Sequence, residues 1–278
     1  MRTIDKWVIG GKTEGFNGCV IALPGRGLPA TMMEKFMLHT DLWDSLQVIL
    51  EPRQLEWYPQ PNGPWDQKAS VYGQNDSLEL LDRCVKRLEK GWGVKRQQTV
   101  LVGFSAGAVM SIWLGAHSNK PFAGVISLAG AILEPTQLPK AKHKTPFLIQ
   151  HNRDDDCFKW GERYLPMKRA LLRQGYNVNF KEGHGGHTLT FDEVSMTRRF
   201  CRNIFQYPEE ESTKEKSADD RIKIYHAIIK AQDSMSVSKA RESVANQFGL
   251  STSQVRDIEL EGLREKWPLP EPTASASS

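Results

Sequence analysis

The sequence lacks the features that mark several classes of protein. Among its 278 residues no apolar run approaches the ~18 residues of a membrane-spanning helix, and residues 1–12 hold no apolar segment typical of a secretory signal. The four cysteines, Cys19, Cys84, Cys157 and Cys201, form no CxxC pair. We therefore expect free thiols, no disulfide framework, and a cytoplasmic protein without a membrane span.

Charge of one sign and metal-binding patterns are also scarce. The formal net charge of +4 is too small to indicate a nucleic-acid-binding protein by itself. No HExxH motif is present. The Gly-Gly pair between His184 and His187 disfavours a helix, which would be needed to place both histidines on one face as metal ligands. We expect no metal and no cofactor.

Residues 1–206 alternate short apolar runs with amphipathic ones. The runs are rich in Val, Ile and Leu without strict polar alternation, which predicts strands buried on both faces. This alternation predicts an α/β fold, with a mostly parallel sheet and helices on both faces. The predicted strands are WVIGG, CVIALPG, LQVILEP, QTVLVGF, FAGVISL, TPFLIQH and NVNFKEG. The predicted helices are ATMMEKFMLHTDLW, DSLELLDRCVKRLEK, AGAVMSIWLGAH, ERYLPMKRALLRQG and LTFDEVSMTRRFCRNIF.

The segment GFSAG, residues 103–107, ends a predicted strand and opens a predicted helix. In that context G-x-S-x-G indicates a nucleophile elbow, a strained turn that lifts the Ser105 hydroxyl above the sheet. Gly103 and Gly107 suit the turn because it brings these two positions close together. The alternative is a glycine-rich turn with an incidental serine.

An activated serine needs a histidine to take its proton and an acid to orient that histidine. Candidates for both follow later strands, at the edge of an α/β sheet where functional groups collect. The chain order Ser, Asp, His is that of α/β-hydrolases. The residues alone leave several choices open, and a solvated acidic loop or a metal half-site are the alternatives. The candidates are Asp154, Asp155 and Asp156 after TPFLIQ, and His184 and His187 after NVNFKEG.

Together these motifs resemble the phospholipase/carboxylesterase branch of the α/β-hydrolases, which includes acyl-protein thioesterases and dienelactone-hydrolase-like proteins. The resemblance covers roughly residues 16–206 and rests on GFSAGAVM, WYPQPNG and HNRDDDCF. The last segment is similar to the family's HGxxDxxV, which implies Asp155 as the acid. The family's histidine lies six residues before a glutamate, which implies His187, ahead of Glu193. The resemblance therefore implies a Ser105–His187–Asp155 triad.

The same resemblance extends to LPGRG, residues 23–27, which is similar to the family's HGxG oxyanion loop. It implies the backbone N–H groups of Arg26 and Ala106 as oxyanion donors. This sequence departs from the family pattern in having Pro24 in place of a histidine, Ala106 in place of a glutamine and Asn152 in place of a glycine. Three tryptophans could line an acyl pocket, although packing is the default interpretation: Trp57, Trp65 and Trp92.

The C-terminal part has a different composition. We predict a charged linker over 207–220, a helical module over 221–268 and a disordered tail over 269–278. Residues 238–262 resemble a helix-turn-helix, with one helix ending at Val244 and Ala245, Gly249 in the turn and STSQV opening the next helix. Residues 220–268 hold eight Lys or Arg and seven Asp or Glu residues, a net charge of +1 that argues against tight DNA binding. A contact with another protein or a homodimer contact is at least as well supported, and nucleic acid stays open.

Two functions follow from these patterns. The first is a serine carboxylesterase that hydrolyses carboxylic esters, with thioesters and lysophospholipids as further candidates. The alternative is a ligand-sensing regulator with a hydrolase-like domain and a DNA- or protein-binding helical tail.

Overall fold

The chain divides into two compact units, residues 1–207 and 208–278. The computed structural model describes residues 4–42, 44–58, 67–206 and 217–270. Predictions that concern Trp65, most of WYPQPNG, residues 207–216 of the linker and residues 271–278 of the tail lie outside this described part.

The first unit is built on one sheet, whose strands are β1 (Ile4–Gly11), β2 (Cys19–Leu23), β3 (Leu46–Pro52), β4 (Thr99–Phe104), β5 (Gly124–Leu128), β6 (Pro146–Asn152) and β7 (Asn177–Gly183). Their spatial order is β1-β3-β2-β4-β5-β6-β7. Every pairing is parallel except that of β1 with β3, which is antiparallel. The predicted α/β class with a mostly parallel sheet is confirmed.

Helices cover both faces of this sheet. In β2, Cys19, Ile21 and Leu23 join the core cluster formed with α2, α3 and α4, whereas Val20 and Ala22 are buried on the opposite side. On that side α1 and α5 pack against each other. The helices of this unit are α1 (Ala30–Thr40), α2 (Gln67–Trp92), α3 (Ala106–His117), α4 (Leu165–Arg173) and α5 (Phe191–Phe205).

Three details differ from the sequence-based prediction. Helix α2 begins at Gln67, nine residues before the predicted start at Asp76. Strand β7 is an edge strand with partly exposed residues, not a strand buried on both faces. Helix α1 ends at Thr40, because Asp41 adopts a left-handed conformation that closes the helix. The four cysteines are free, as predicted.

The second unit contains α6 (Ala218–Gln232), α7 (Val237–Phe248) and α8 (Thr252–Arg264), which share a core of their own. Helix α6 begins inside the predicted linker, because Ser217 caps it by accepting from the Asp220 N–H. Helix α7 continues to Phe248 and so ends three residues later than predicted. Gly249 makes the turn with φ of 62°, and Ser251 caps α8. Among the described residues, none of the helices combines the length and the hydropathy of a membrane-spanning segment.

Candidate active site

Ser105 lies in a sharp turn between β4 and α3. Its backbone has φ of 54° and ψ of −120°, a conformation that L-residues rarely adopt and that costs on the order of 1–3 kcal/mol. A side chain on Gly103 would overlap the carbonyl oxygen of Gly107, and one on Gly107 would overlap that of Leu23. The Ser105 N–H donates to Leu128 O at 3.0 Å, which ties the turn to β5. These contacts give the geometry expected of a nucleophile elbow.

The histidine and aspartate that face Ser105 follow two other strands. His187 comes after β7, and its Nε2 lies 2.8 Å from Ser105 Oγ. Its Nδ1 lies 2.8 Å from Oδ2 of Asp155, which follows β6. The rings of Phe104 and Phe158 flank the imidazole, with centroids 5.3 Å and 5.8 Å away. The structure therefore brings together Ser105, His187 and Asp155.

Three hydrogen bonds orient the Asp155 carboxylate. Its side chain is fully buried, and its Oδ1 accepts hydrogen bonds from the N–H groups of Cys157 at 2.9 Å and Phe158 at 2.8 Å. Burial alone would raise the pKa of Asp155, but the bonds from His187 and the backbone outweigh it, so the pKa lies below the ordinary value. A carboxylate that stays charged can keep Nδ1 of His187 protonated and leave Nε2 free to accept a proton.

The loop that carries His187 is anchored by the last residue of β6, Asn152, and by Asp154 in the loop that follows β6. Asp154 accepts from the Gly185 N–H at 3.0 Å, and Asn152 Nδ2 donates to Gly186 O at 2.9 Å. The departure from the family pattern at Asn152 thus provides a tie to the histidine loop. Sequence reasoning missed these two supporting roles, because no motif pairs the β6 loop with the β7 loop.

The segment after β2 lies directly against the serine. A side chain on Gly25 would press on Ser105 Cβ at 3.1 Å. Two bonds fix this loop: Trp57 Nε1 donates to Pro24 O at 2.7 Å, and the Gly27 N–H donates to Leu55 O at 2.9 Å. Trp57 is therefore a buried brace of the loop, which matches the packing interpretation.

A cleft of about 740 Å³ opens over Ser105. Apart from the residues already singled out, its walls are mostly apolar, and they come from the loops that follow β2, β3, β6 and β7, from the end of β4 and from α1. No sequence motif singles out these wall residues, although most of them lie at or after the end of a strand, which is a usable signal. They are Leu28, Met32, Tyr58, Phe104, Cys157, Phe158, Thr188 and Leu189.

Other candidates from the sequence lie outside this cluster. His184 and Asp156 are exposed, and the exposed Trp92 lies near the end of α2, so neither it nor the buried Trp57 lines the cleft. Among the described residues, ligand atoms of Asp155, Cys157 and His187 lie within 4.8 Å of one another. The bond between His187 and Asp155 already occupies two of those three groups.

The sequence matches a known protein family over more than half of its length. The family model for phospholipase/carboxylesterase proteins aligns with residues 52–205, more than half of the chain. The chain belongs to this family.

Its alignments with individual curated relatives are shorter than the match to the family model. Acyl-protein thioesterase 1 of Neurospora crassa is 28% identical over 116 residues, which cover 39% of this chain and 46% of that protein. Acyl-protein thioesterase 1 homolog 2 of Dictyostelium discoideum is 26% identical over 101 residues, or 34% and 45% of the two chains. The alignments thus span about half the length of these relatives.

Solved structures agree on the fold of this family member. Esterase PE8 matches with a TM-score of 0.65 at 22% identity, covering 73% of this chain and 99% of that one. A phospholipase/carboxylesterase from Dyadobacter fermentans matches with a TM-score of 0.62 at 20% identity, covering 72% and 98%. The resemblance to the α/β-hydrolase fold predicted from the motifs is therefore confirmed.

Proposed function

We propose that this chain is a serine ester hydrolase that works through an acyl-enzyme. The proposal depends on two hydrogen-bond contacts of 2.8 Å, one between Ser105 Oγ and His187 Nε2 and the other between His187 Nδ1 and Asp155 Oδ2. Membership in the phospholipase/carboxylesterase family supports the same chemistry.

In the proposed reaction, Ser105 Oγ attacks the acyl carbonyl carbon while His187 Nε2 takes the hydroxyl proton. The carbonyl oxygen becomes an oxyanion, and its collapse expels the alcohol or thiol, which receives the proton from His187. Water, activated by the same imidazole, then attacks the acyl-enzyme and releases the acid. Asp155 orients the imidazole and stabilises its positive charge in both half-reactions.

The oxyanion donors in this proposal are the backbone N–H groups of Arg26 and Ala106. The neighbouring N–H groups of Gly27 and Ser105 are already bonded to Leu55 and Leu128, respectively. Ala106 is the first residue of α3, where the N–H has no partner within the helix and the helix dipole favours negative charge. Removing one such donor typically lowers kcat by about 10²–10³-fold.

The cleft supports substrates with an apolar acyl part. Leu28, Met32, Phe158 and Leu189 offer an apolar wall beside the serine. We therefore propose carboxylic esters as substrates. The names of the thioesterase relatives extend the proposal to thioesters, and the phospholipase part of the family description supports keeping the lysophospholipids expected from the sequence among the candidates.

Three substitutions test the proposed triad, two of them with matched neighbours as controls. Ser105→Ala and His187→Ala should each lower kcat/KM for a 4-nitrophenyl acyl ester by about 10³-fold or more. Asp155→Asn should lower it by a similar factor, because the imidazole then loses its charged partner. His184→Ala and Asp156→Asn replace exposed residues of the same loops and should leave kcat/KM unchanged.

A fluorophosphonate probe gives a readout independent of turnover. It should form a stable adduct at Ser105 in the wild-type protein, and the Ser105→Ala variant should remain unlabelled. Full esterase activity in that variant, or equal losses in the triad variants and their controls, would remove the proposed mechanism.

No observation in the described residues favours the regulator alternative. The roles considered for α7 and α8, a contact with protein, with nucleic acid or with a second copy of the chain, stay predictions. So does the cytoplasmic location.

A further inference from the structure

The cleft beside Ser105 contains one permanent charge among its described lining residues, the guanidinium of Arg26. A charged group in the wall of a mostly apolar cleft is unfavourable for an uncharged acyl chain, because binding the chain would remove water from the charge. The group therefore needs either a protein partner or a partner on the substrate.

The described residues use only part of the hydrogen-bonding capacity of the Arg26 guanidinium. One of its nitrogens donates to Tyr58 O at 2.7 Å, and its central carbon lies 5.4 Å from the centroid of the Tyr58 ring. Among the described residues, no carboxylate lies within ion-pair distance of Arg26. Since a guanidinium has five N–H donors in a fixed planar array, several remain for a ligand.

The surroundings strengthen the positive character of this end of the cleft. Burial raises the pKa of Tyr58, while the charges of Arg26 and Arg163 act in the opposite direction, so two cations act on the same hydroxyl. Two acids lie near Cys157, another lining residue: Asp155 directs its carboxylate oxygens to His187 and to two backbone N–H groups, and burial together with the charges of Asp156 and Asp155 raises the pKa of Cys157. The part of the cleft beside Arg26 and Tyr58 therefore suits an anionic group, whereas the part beside Cys157 does not.

We propose that the preferred ester carries an anionic oxygen group, a carboxylate or a phosphate, and that the Arg26 side chain binds it. This inference rests on the proposed esterase function and adds the substrate class. It concerns the guanidinium of Arg26, whereas the oxyanion role proposed above uses the backbone N–H of the same residue. Contact with Tyr58 holds the guanidinium in place, which lowers the conformational entropy lost on binding.

The test compares matched esters that differ only in charge. One pair is 4-nitrophenyl hemisuberate and 4-nitrophenyl octanoate, with equal acyl length. A second pair is 1-oleoylglycerol 3-phosphate and 1-oleoylglycerol, in which the anion lies on the alcohol part. The readout is the ratio of kcat/KM for the charged ester over that for the neutral one, because a ratio within one variant cancels any general change in catalysis.

For wild-type protein we expect at least one pair to favour the charged ester. Arg26→Met should lower that ratio by about tenfold or more, the effect of losing a hydrogen bond to a charged group. Arg26→Lys keeps the charge without the planar array and should give an intermediate ratio. Raising the salt concentration should lower the wild-type ratio and leave that of Arg26→Met unchanged.

Arg169→Met is the matched control, because it removes one positive charge from an exposed position on α4 away from the cleft. If Arg26→Met lowers the ratio for the hemisuberate pair, the anion belongs to the acid part of the substrate. If it lowers the ratio for the oleoylglycerol pair, the anion belongs to the alcohol part. Ratios that Arg26→Met does not change, or that Arg169→Met lowers equally, would overturn the inference while leaving the esterase proposal intact. Failure of the wild-type protein to hydrolyse any of the four esters, with Ser105 unlabelled by the probe, would overturn both.

Discussion

Three consecutive aspartates in the β6 loop have three different environments. Asp154 accepts from the backbone of the histidine loop, Asp155 contacts His187, and Asp156 is exposed. Their side chains are chemically identical, so composition could not separate them, and the family pattern was needed to single out Asp155. The backbone direction at each position decides which carboxylate points inward.

His151 shows a second effect that belongs to a single residue. It is fully buried, its Nε2 donates to Phe158 O at 2.8 Å, and its ring stacks on Tyr164 with centroids 4.7 Å apart. Burial lowers the pKa of His151, and the raising effect of the nearby Asp155 is smaller. The folded protein therefore favours the neutral imidazole more strongly than the unfolded chain does.

This shift predicts a pH dependence of stability. The contribution of His151 is complete above the unfolded-state pKa of about 6.5 and is lost as the pH falls from there towards the lower folded-state value. Relative to His151→Gln, wild-type protein should lose up to about 1.4 kcal/mol of unfolding free energy per pH unit in that window. Urea unfolding between pH 5 and 7.5 measures the difference between the two slopes. The assignment of this pH dependence to His151 would be contradicted if wild-type protein and His151→Gln lost unfolding free energy equally with falling pH. It would also be contradicted if His184→Gln, at an exposed position, changed that dependence as much as His151→Gln does.

At the scale of elements, the strand-to-helix turn at Ser105 depends on the absence of side chains at its ends. We predict that Gly103→Ala lowers the unfolding free energy by about 2–4 kcal/mol and removes esterase activity, because the added methyl group overlaps the backbone of α3.

Gly91→Ala provides the contrast for that change. Gly91 lies within α2, has no positive φ and has open space where the Cβ atom of an alanine would lie, so alanine should stabilise the helix by about 0.5–1 kcal/mol. Chemical unfolding and ester hydrolysis measure both variants. If Gly103→Ala changed the unfolding free energy and the activity as little as Gly91→Ala does, the turn at Ser105 would have room for a side chain at position 103.

The elements that were predicted well share a strong local signal. The apolar runs of β2, β4, β5 and β6 are almost entirely buried, so their composition indicated central strands. The start of α2 was missed because QKASVYGQN is polar and contains Gly73, which weakens the helical period. The antiparallel direction of β1 was missed as well, because pairing direction depends on the path between strands and not on their composition.

At the scale of the whole molecule, the cleft belongs to one of the two units. Every described residue that lines it lies within residues 1–207, and the family match ends at 205. We predict that a chain ending at Tyr207 keeps kcat/KM for 4-nitrophenyl esters within about twofold of the full-length value, a difference worth about 0.4 kcal/mol.

Val255→Asp in the full-length chain also tests whether catalysis is independent of the second unit, without deleting any residues. Val255 is fully buried in the core of the second unit, so a charge there should disrupt α6–α8. Circular dichroism would report the loss of helix, and activity should persist. A strong loss of activity in both proteins would show that the helices support catalysis.

The contacts around Ser105 join parts of the chain that are distant in sequence, from Leu23 to His187. No short peptide from this protein can reproduce them, so in the proposed mechanism the Ser105 hydroxyl becomes nucleophilic only when the β2, β4, β6 and β7 segments have met. Under that mechanism, newly made or damaged chains are inert toward esters, and labelling of this one hydroxyl by a fluorophosphonate probe measures the fraction of correctly assembled molecules.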